Sequence, residues 1–226
     1  MDGAANASYS PSTNKFPDPS HFPFPPFPML LSTTYFGPIQ WYQKVYRYEQ
    51  VFIEQHETFA KQTYRNRCLI ATAQGVQALT VPVVHDAHAT IRQLRISDHG
   101  NWRHLHWQAI TSAYGDSPFL EYYEDDLRPF FFERQWEYLL DFNEAICQVM
   151  CSLLDISPTI RRTECYEPHP DCDDFRQTIS PKHPAADADF TPRPYYQVFS
   201  RRHGFLPNLS ILDLLLNMGP ESILYL

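Results

Sequence analysis

The residues able to do chemistry fall into four groups. Tyr64-Arg65-Asn66-Arg67 opens a stretch whose apolar pattern predicts a strand. A period of two would put Arg65 and Arg67 on one face, roughly 7 Å apart, with Asn66, Cys68 and Ile70 on the other. Two guanidiniums at that separation can grip a carboxylate or a phosphate bidentately. The competing reading is an exposed strand face whose arginines pair with local acids to little energetic effect. Histidine supplies the second group. His104 and His106 lie two apart in a predicted helix, so they point to different sides and cannot share one metal as an i,i+4 pair would. One of them could serve as a general base, as could His56, which follows a predicted strand end where α/β sites gather. A packed structural histidine is the alternative.

Cys147 and Cys151 do have i,i+4 spacing, but they sit within or beside the apolar stripe of a long predicted helix, with no histidine or acid placed to complete a site. Core packing accounts for them. The fourth group is acidic. Between residues 164 and 189, seven acids stand against Arg176 and Lys182, which gives −5 of the chain's −8. Asp171-x-Asp173 and Asp187-x-Asp189 have the spacing to hold a divalent ion and, through it, a pyrophosphate. A solvated loop explains the same pattern, and no metal is assigned.

These groups need elements to position them. Met29-Leu30-Leu31-Ser32-Thr33-Thr34 reads as a buried strand, and Gly37-Pro38 turns the chain into a helix over Ile39–Tyr48. Val51-Phe52-Ile53 is a second strand. Residues 66–73 and 76–84 make a hairpin about Gly75, and Thr90–Ser97 alternates as a bulged strand. Helices follow: Trp102–Tyr114 capped by Asn101, a short one opened by Pro118, and a long one over Gln135–Leu154. Tyr195–Phe199 reads as a returning strand. Ser210-Ile211-Leu212-Asp213 resembles a capping box for a last helix that stops at Gly219-Pro220. The class is α/β: a mixed sheet from the N-terminal half, with helices from the C-terminal half packed over it. Residues 1–28 hold seven of the twenty prolines and read as a disordered leader, or as a polyproline-II docking segment. Residues 29–226 form one domain.

Composition excludes much. The net charge of −8 and a pI near 5.6 argue against a nucleic-acid partner or an anionic membrane surface. Of seven glycines, the nearest pairs are fifteen residues apart. A G-x-G-x-x-G turn, a P-loop and a G-x-S-x-G elbow are therefore impossible, and H-E-x-x-H is absent. No apolar run reaches membrane-spanning length, no signal peptide opens the chain, and five cysteines lack the spacing of a secreted scaffold. A cytoplasmic protein with reduced thiols is expected. No cofactor is named by any motif, and the oligomeric state is not legible.

Five blocks in order carry a resemblance. They are Thr34-Tyr35-Phe36-Gly37-Pro38-Ile39-Gln40-Trp41-Tyr42-Gln43, Gln62-Thr63-Tyr64-Arg65-Asn66-Arg67, Leu79-Thr80-Val81-Pro82-Val83, Trp102 and His106 with Tyr114 through Phe119, and Phe205 through Leu215. Together they resemble the WbqC-like protein family, from about residue 30 to the C-terminus. The resemblance implies a bacterial protein of surface-polysaccharide precursor biosynthesis, of O-antigen type. It also implies an acyl- or aminoacyl-transferase acting on an amino sugar. On that reading Arg65 and Arg67 hold an anionic donor, either phosphopantetheine-linked or nucleotide-linked. His106, or failing it His56, deprotonates the sugar amine. Gln40 and Asn66 orient the acceptor or stabilise an oxyanion, and Trp41 and Tyr114 line the substrate site. Two other readings stand beside it: a non-catalytic partner of a biosynthetic complex, and a metal-dependent, glycosyltransferase-like protein binding a nucleotide sugar at Asp171/Asp173.

Overall fold

The computed structural model describes residues 28–226 except 85, 87, 88 and 183, so the leader expected over 1–28 lies, but for Pro28, outside the described residues. The first strand, β1 (Met29–Ser32), is buried at every position. A central strand of a parallel sheet is covered on both faces, which is why it reads as an apolar run and not as an alternation. Helix α1 (Ile39–Arg47) then crosses back, and β2 (Gln50–Glu54) pairs with β1 in parallel, Met29 opposite Val51 and Ser32 opposite Glu54. Gly37 makes the turn before α1 possible. A Cβ there would come within 2.4 Å of Thr34 Oγ1.

Two later strands complete this sheet. β5 (Thr159–Arg162) pairs in parallel with β2, and the two-residue β6 (Asp173–Asp174) with β1. The order is β5-β2-β1-β6. All four strands therefore end at one edge, and the strand order reverses at β1. The hairpin β3 (Arg67–Thr72) and β4 (Gly75–Thr80) is a separate antiparallel sheet closed at Thr72 and Gly75. Gly75 has φ +109°, which favours glycine.

Helices dominate from Trp102 onward: α2 (Trp102–Tyr114), α3 (Leu120–Leu127), α4 (Pro129–Phe132), α5 (Leu139–Leu153), α6 (Ser200–His203) and α7 (Ile211–Met218), with a 3₁₀ turn over Gly219–Tyr225. Their apolar faces meet β1–β4 in a cluster rich in aromatics. Tyr35 stacks on Phe142 at 5.7 Å, and Phe36 on Phe131 at 6.3 Å. The class is α/β, as the sequence implies: a parallel sheet, a small antiparallel one, and helices mostly in the C-terminal half.

Local departures have local causes. Thr90–Ser97 is not a strand, because Thr90 and Gln93 form a reciprocal capping box that winds Ile91–Gln93 into a 3₁₀ turn. The long helix starts at Leu139 and not at Gln135, since Tyr138 is held extended in a bridge to Arg95. Asn101 occupies the cap position of α2 but makes no side-chain cap bond. Tyr195–Phe199 forms no strand. Its Tyr195 hydroxyl and Gln197 amide turn inward to Asp213 instead, at 2.6 and 2.8 Å. That engagement also undoes half of the expected capping box: Ser210 Oγ accepts from Leu212 N–H, while the Asp213 carboxylate serves Tyr114, Tyr195 and Gln197.

The acidic segment is strapped to α1. Lys44 is 1% exposed and meets Asp187 at 2.8 Å, with its ammonium 4.5 Å from the Phe175 ring centroid. Tyr48 donates to Asp173 at 2.6 Å, and Gln40 Nε2 donates to Asp187 at 2.8 Å. Burial opposes ionisation of Asp187, but the hydrogen bonds from Lys44 and Gln40 outweigh it and hold the carboxyl below the usual range. Replacing Lys44 by Ala strands that carboxylate. The unfolding free energy in urea should fall by about 3–5 kcal/mol, and Lys44→Met with Asp187→Leu should recover most of it. A cost below about 1 kcal/mol would show the pair to be solvated and the segment unanchored.

Candidate functional site

The carboxyl ends of parallel strands are where α/β proteins place ligands, and a polar cavity of about 430 Å³ opens there. One wall is the segment after β2, with His56, Glu57 and Arg65. The other belongs to the acidic segment, with Tyr166, Arg176 and Gln177. Glu54 ends β2 with no exposure, so its carboxylate must be satisfied internally. It accepts from the His56 backbone N–H at 2.7 Å and from Thr163 Oγ1 at 2.9 Å, and its other oxygen faces Arg176 Nη1 at 3.4 Å. Arg176 in turn grips Asp174 from Nε and Nη2, and donates from Nη2 to the Glu167 carbonyl. Burial works against the Asp174 carboxylate, yet these bonds from Arg176 keep its pKa lowered.

Arg65 is 7% exposed and stands just before β3. Its Nε donates to Glu57 Oε1 at 2.8 Å, and Nη2 donates to Glu57 Oε2 and to Ser32 Oγ at the end of β1. Nη1 has no protein acceptor among the described residues. His56 Nε2 lies 3.3 Å from the Thr163 carbonyl. Because a carbonyl only accepts, Nε2 carries the proton, and Nδ1 of the neutral ring keeps its lone pair. The cavity thus presents one basic imidazole nitrogen beside two guanidiniums that are partly neutralised.

The other expected site residues go elsewhere. Arg67 is half-buried on the hairpin and donates to Thr80 Oγ1, so the two arginines do not form one clamp. Burial of Arg65 before the strand begins breaks the alternation on which that pairing depended. His106 lines no cavity at the strand ends. Its Nδ1 meets the Tyr35 hydroxyl at 2.9 Å inside the core, and burial pushes its pKa down to about 4, offset only in part by a backbone hydrogen bond to Thr80. Tyr114 is fully buried on Asp213. Gln40 is tied twice to Asn208, and Asn66 donates to the Val81 carbonyl. Trp41 donates to the Ser32 carbonyl and lines a separate, smaller cavity beside β2, β5 and α5. Glu54, Glu57, Ser32 and Arg176 were not singled out from sequence. Two glutamates three apart at a strand end were the available signal.

Among the described residues no group of three His, Cys, Asp or Glu could hold a metal ion. Asp173 and Asp187 are committed to Tyr48 and Lys44. No disulfide forms. Cys68, Cys147 and Cys151 are buried, and burial raises the Cys68 thiol far from a nucleophilic range.

The sequence model of the WbqC-like protein family matches residues 33–181. The chain belongs to the WbqC-like protein family. The matched span runs from the residue after β1 to the wall of the cavity carrying Arg176, Gln177 and Ser180, while the block at Phe205–Leu215 lies beyond it. This WbqC-like chain is also 30% identical over 193 residues to the uncharacterized protein Rv1507c of Mycobacterium tuberculosis, an alignment covering 74% of this chain and 83% of that one. No solved structure matches it. Among the described residues, no helix is long and apolar enough to cross a membrane.

The buried histidine sets a pH dependence. A group whose native pKa is about 4 and whose unfolded pKa is about 6.5 binds its proton only on unfolding between those values, so stability rises with pH across that window. Wild type should lose about 3 kcal/mol more than His106→Gln on going from pH 7 to pH 4, read by urea denaturation. Parallel profiles would mean that His106 reaches solvent.

Proposed function

We propose that this WbqC-like protein is a cytoplasmic enzyme of surface-polysaccharide precursor biosynthesis, an acyl- or aminoacyl-transferase acting on an amino sugar, and that its reaction takes place in the polar cavity. The observation that carries the reading is the convergence of His56 and Arg65 in one cavity at the carboxyl ends of the parallel strands. The geometry favours His56 over His106 as base, because a base needs both a lone pair and access to its proton.

In this reading Nη1 of Arg65 holds the anionic part of a thioester donor. The sugar amine attacks the thioester carbonyl, a C–N bond forms and the C–S bond breaks. His56 Nδ1 takes the proton from nitrogen and returns it to the leaving thiolate. Glu57 fixes the guanidinium in place, so Arg65 is a scaffold as much as a ligand.

Two measurements test this. A phosphopantetheine thioester at a hundredfold its dissociation constant should raise the melting temperature by roughly 5–10 °C, and Gln177→Trp, which fills the exposed rim of the cavity, should cancel the shift. His56→Ala should slow transfer of a labelled acyl group to a nucleotide-linked amino sugar by at least about a hundredfold, with little change in melting temperature. Transfer at the wild-type rate in His56→Ala, or no shift with any thioester, would refute the proposal.

A further inference from the structure

Next to His56 the sheet departs from ladder geometry at one residue, Thr163. Strands β2 and β5 run in parallel register with Ile53 opposite Arg162, so the next pair along is Glu54 with Thr163. In a parallel ladder a residue bonds, through its N–H and its C=O, to the two residues flanking its partner. Thr163 N–H follows that rule and donates to the Ile53 carbonyl at 3.0 Å. The next rung would run from Gln55 N–H to the Thr163 carbonyl. Gln55 N–H goes instead to Thr163 Oγ1, at 3.3 Å. A side-chain hydroxyl stands where the ladder would use a main-chain acceptor.

The hydroxyl is held in that place by Glu54. Thr163 Oγ1 donates to Glu54 Oε1 at 2.9 Å, and the same oxygen accepts the His56 backbone N–H at 2.7 Å. A carboxylate only accepts, so the hydroxyl proton is committed to Glu54 and a hydroxyl lone pair is left for Gln55 N–H. The Thr163 carbonyl is thereby released from the ladder. Its two lone pairs take side chains, Gln55 Nε2 at 2.5 Å and His56 Nε2 at 3.3 Å. The bond made by one imidazole nitrogen decides which nitrogen carries the proton, and a carbonyl on Nε2 leaves the lone pair on Nδ1. Alanine or valine at this position offers no hydroxyl. Gln55 N–H would then close the ordinary rung on the carbonyl, in competition with the imidazole.

We propose that Thr163 is a positioning residue for His56: its hydroxyl, anchored on Glu54, diverts the last ladder bond, and the carbonyl so freed fixes the imidazole with its proton on Nε2. The role in turnover rests on the reading of His56 as the base. The orientation of the ring by Thr163 does not.

Nitrogen-15 NMR of the full chain labelled at histidine, with His56→Gln to assign the signal, needs no substrate. At a pH where the ring is neutral, wild type should carry the His56 proton on Nε2 and protect it from solvent. In Thr163→Val and Thr163→Ala that proton should exchange at least about tenfold faster. Thr163→Ser keeps the hydroxyl and should restore the wild-type rate. In the transfer assay Thr163→Val should lower kcat by roughly tenfold or more with KM unchanged, again with rescue by serine. Exchange as slow in the valine and alanine variants as in wild type would overturn the proposal. So would exchange as fast in Thr163→Ser as in Thr163→Val, or a wild-type ring protonated on Nδ1. Loss of protection rescued by serine, together with wild-type transfer in His56→Ala, would support the positioning by Thr163 and refute only the transferase proposed above.

Discussion

The guanidinium of Arg65 is the constraint on which the neighbourhood of the site depends. Its side chain ties the end of β1, through Ser32, to the segment after β2, through Glu57. Its own carbonyl receives Asn143 from α5. One residue therefore joins the parallel sheet, the entry to the hairpin and the long helix. A buried ion pair gains little net stability over an apolar pair of the same shape, but removing one partner is costly because it leaves the other charge unpaired. Such a pair specifies geometry more than it adds stability, which suits a residue on the wall of the polar cavity.

The acidic segment obeys the same logic on a larger scale. Read linearly, it is a charged and proline-rich loop. In the fold two of its acids meet groups of α1 and its C-terminal end, Asp187 with Lys44 and Asp173 with Tyr48, while Asp174 holds the segment's own Arg176. Once these pairs are made, the segment becomes a wall of the polar cavity and adds β6 to the sheet. Asp173 and Asp187, two of the four carboxylates with metal-binding spacing, are spent on holding the chain. A lysine 1% exposed in α1 makes sense only with that partner in place.

Histidine and arginine show how environment assigns roles that residue type leaves open. His56 and His106 are the same group chemically. One lies on the cavity wall with a free lone pair, and the other is sealed among Tyr35, Trp102 and Thr80 with its charged form disfavoured. Arg65 and Arg67 are two residues apart, yet one is locked in an ion pair under the sheet edge and the other half-exposed on the hairpin ladder.

The sequence by itself determined the elements whose signals are local. The apolar run Met29–Leu31, the proline-opened helix α1, the hairpin at Gly75 and the cap of α7 by Ser210 all follow from periodicity and turn chemistry acting within a few residues. So did the α/β class and the block pattern of the family. Only the tertiary structure decided that two short strands far along the chain join β1 and β2 in parallel, because parallel pairing is made between segments with no local turn to announce it. It also decided where Gln40, Asn66, Tyr114 and His106 go, and none of them lines the polar cavity at the strand ends. Each is a polar group buried in the core, so each must satisfy a hydrogen-bonding requirement that its position in the fold imposes and its place in the sequence does not reveal.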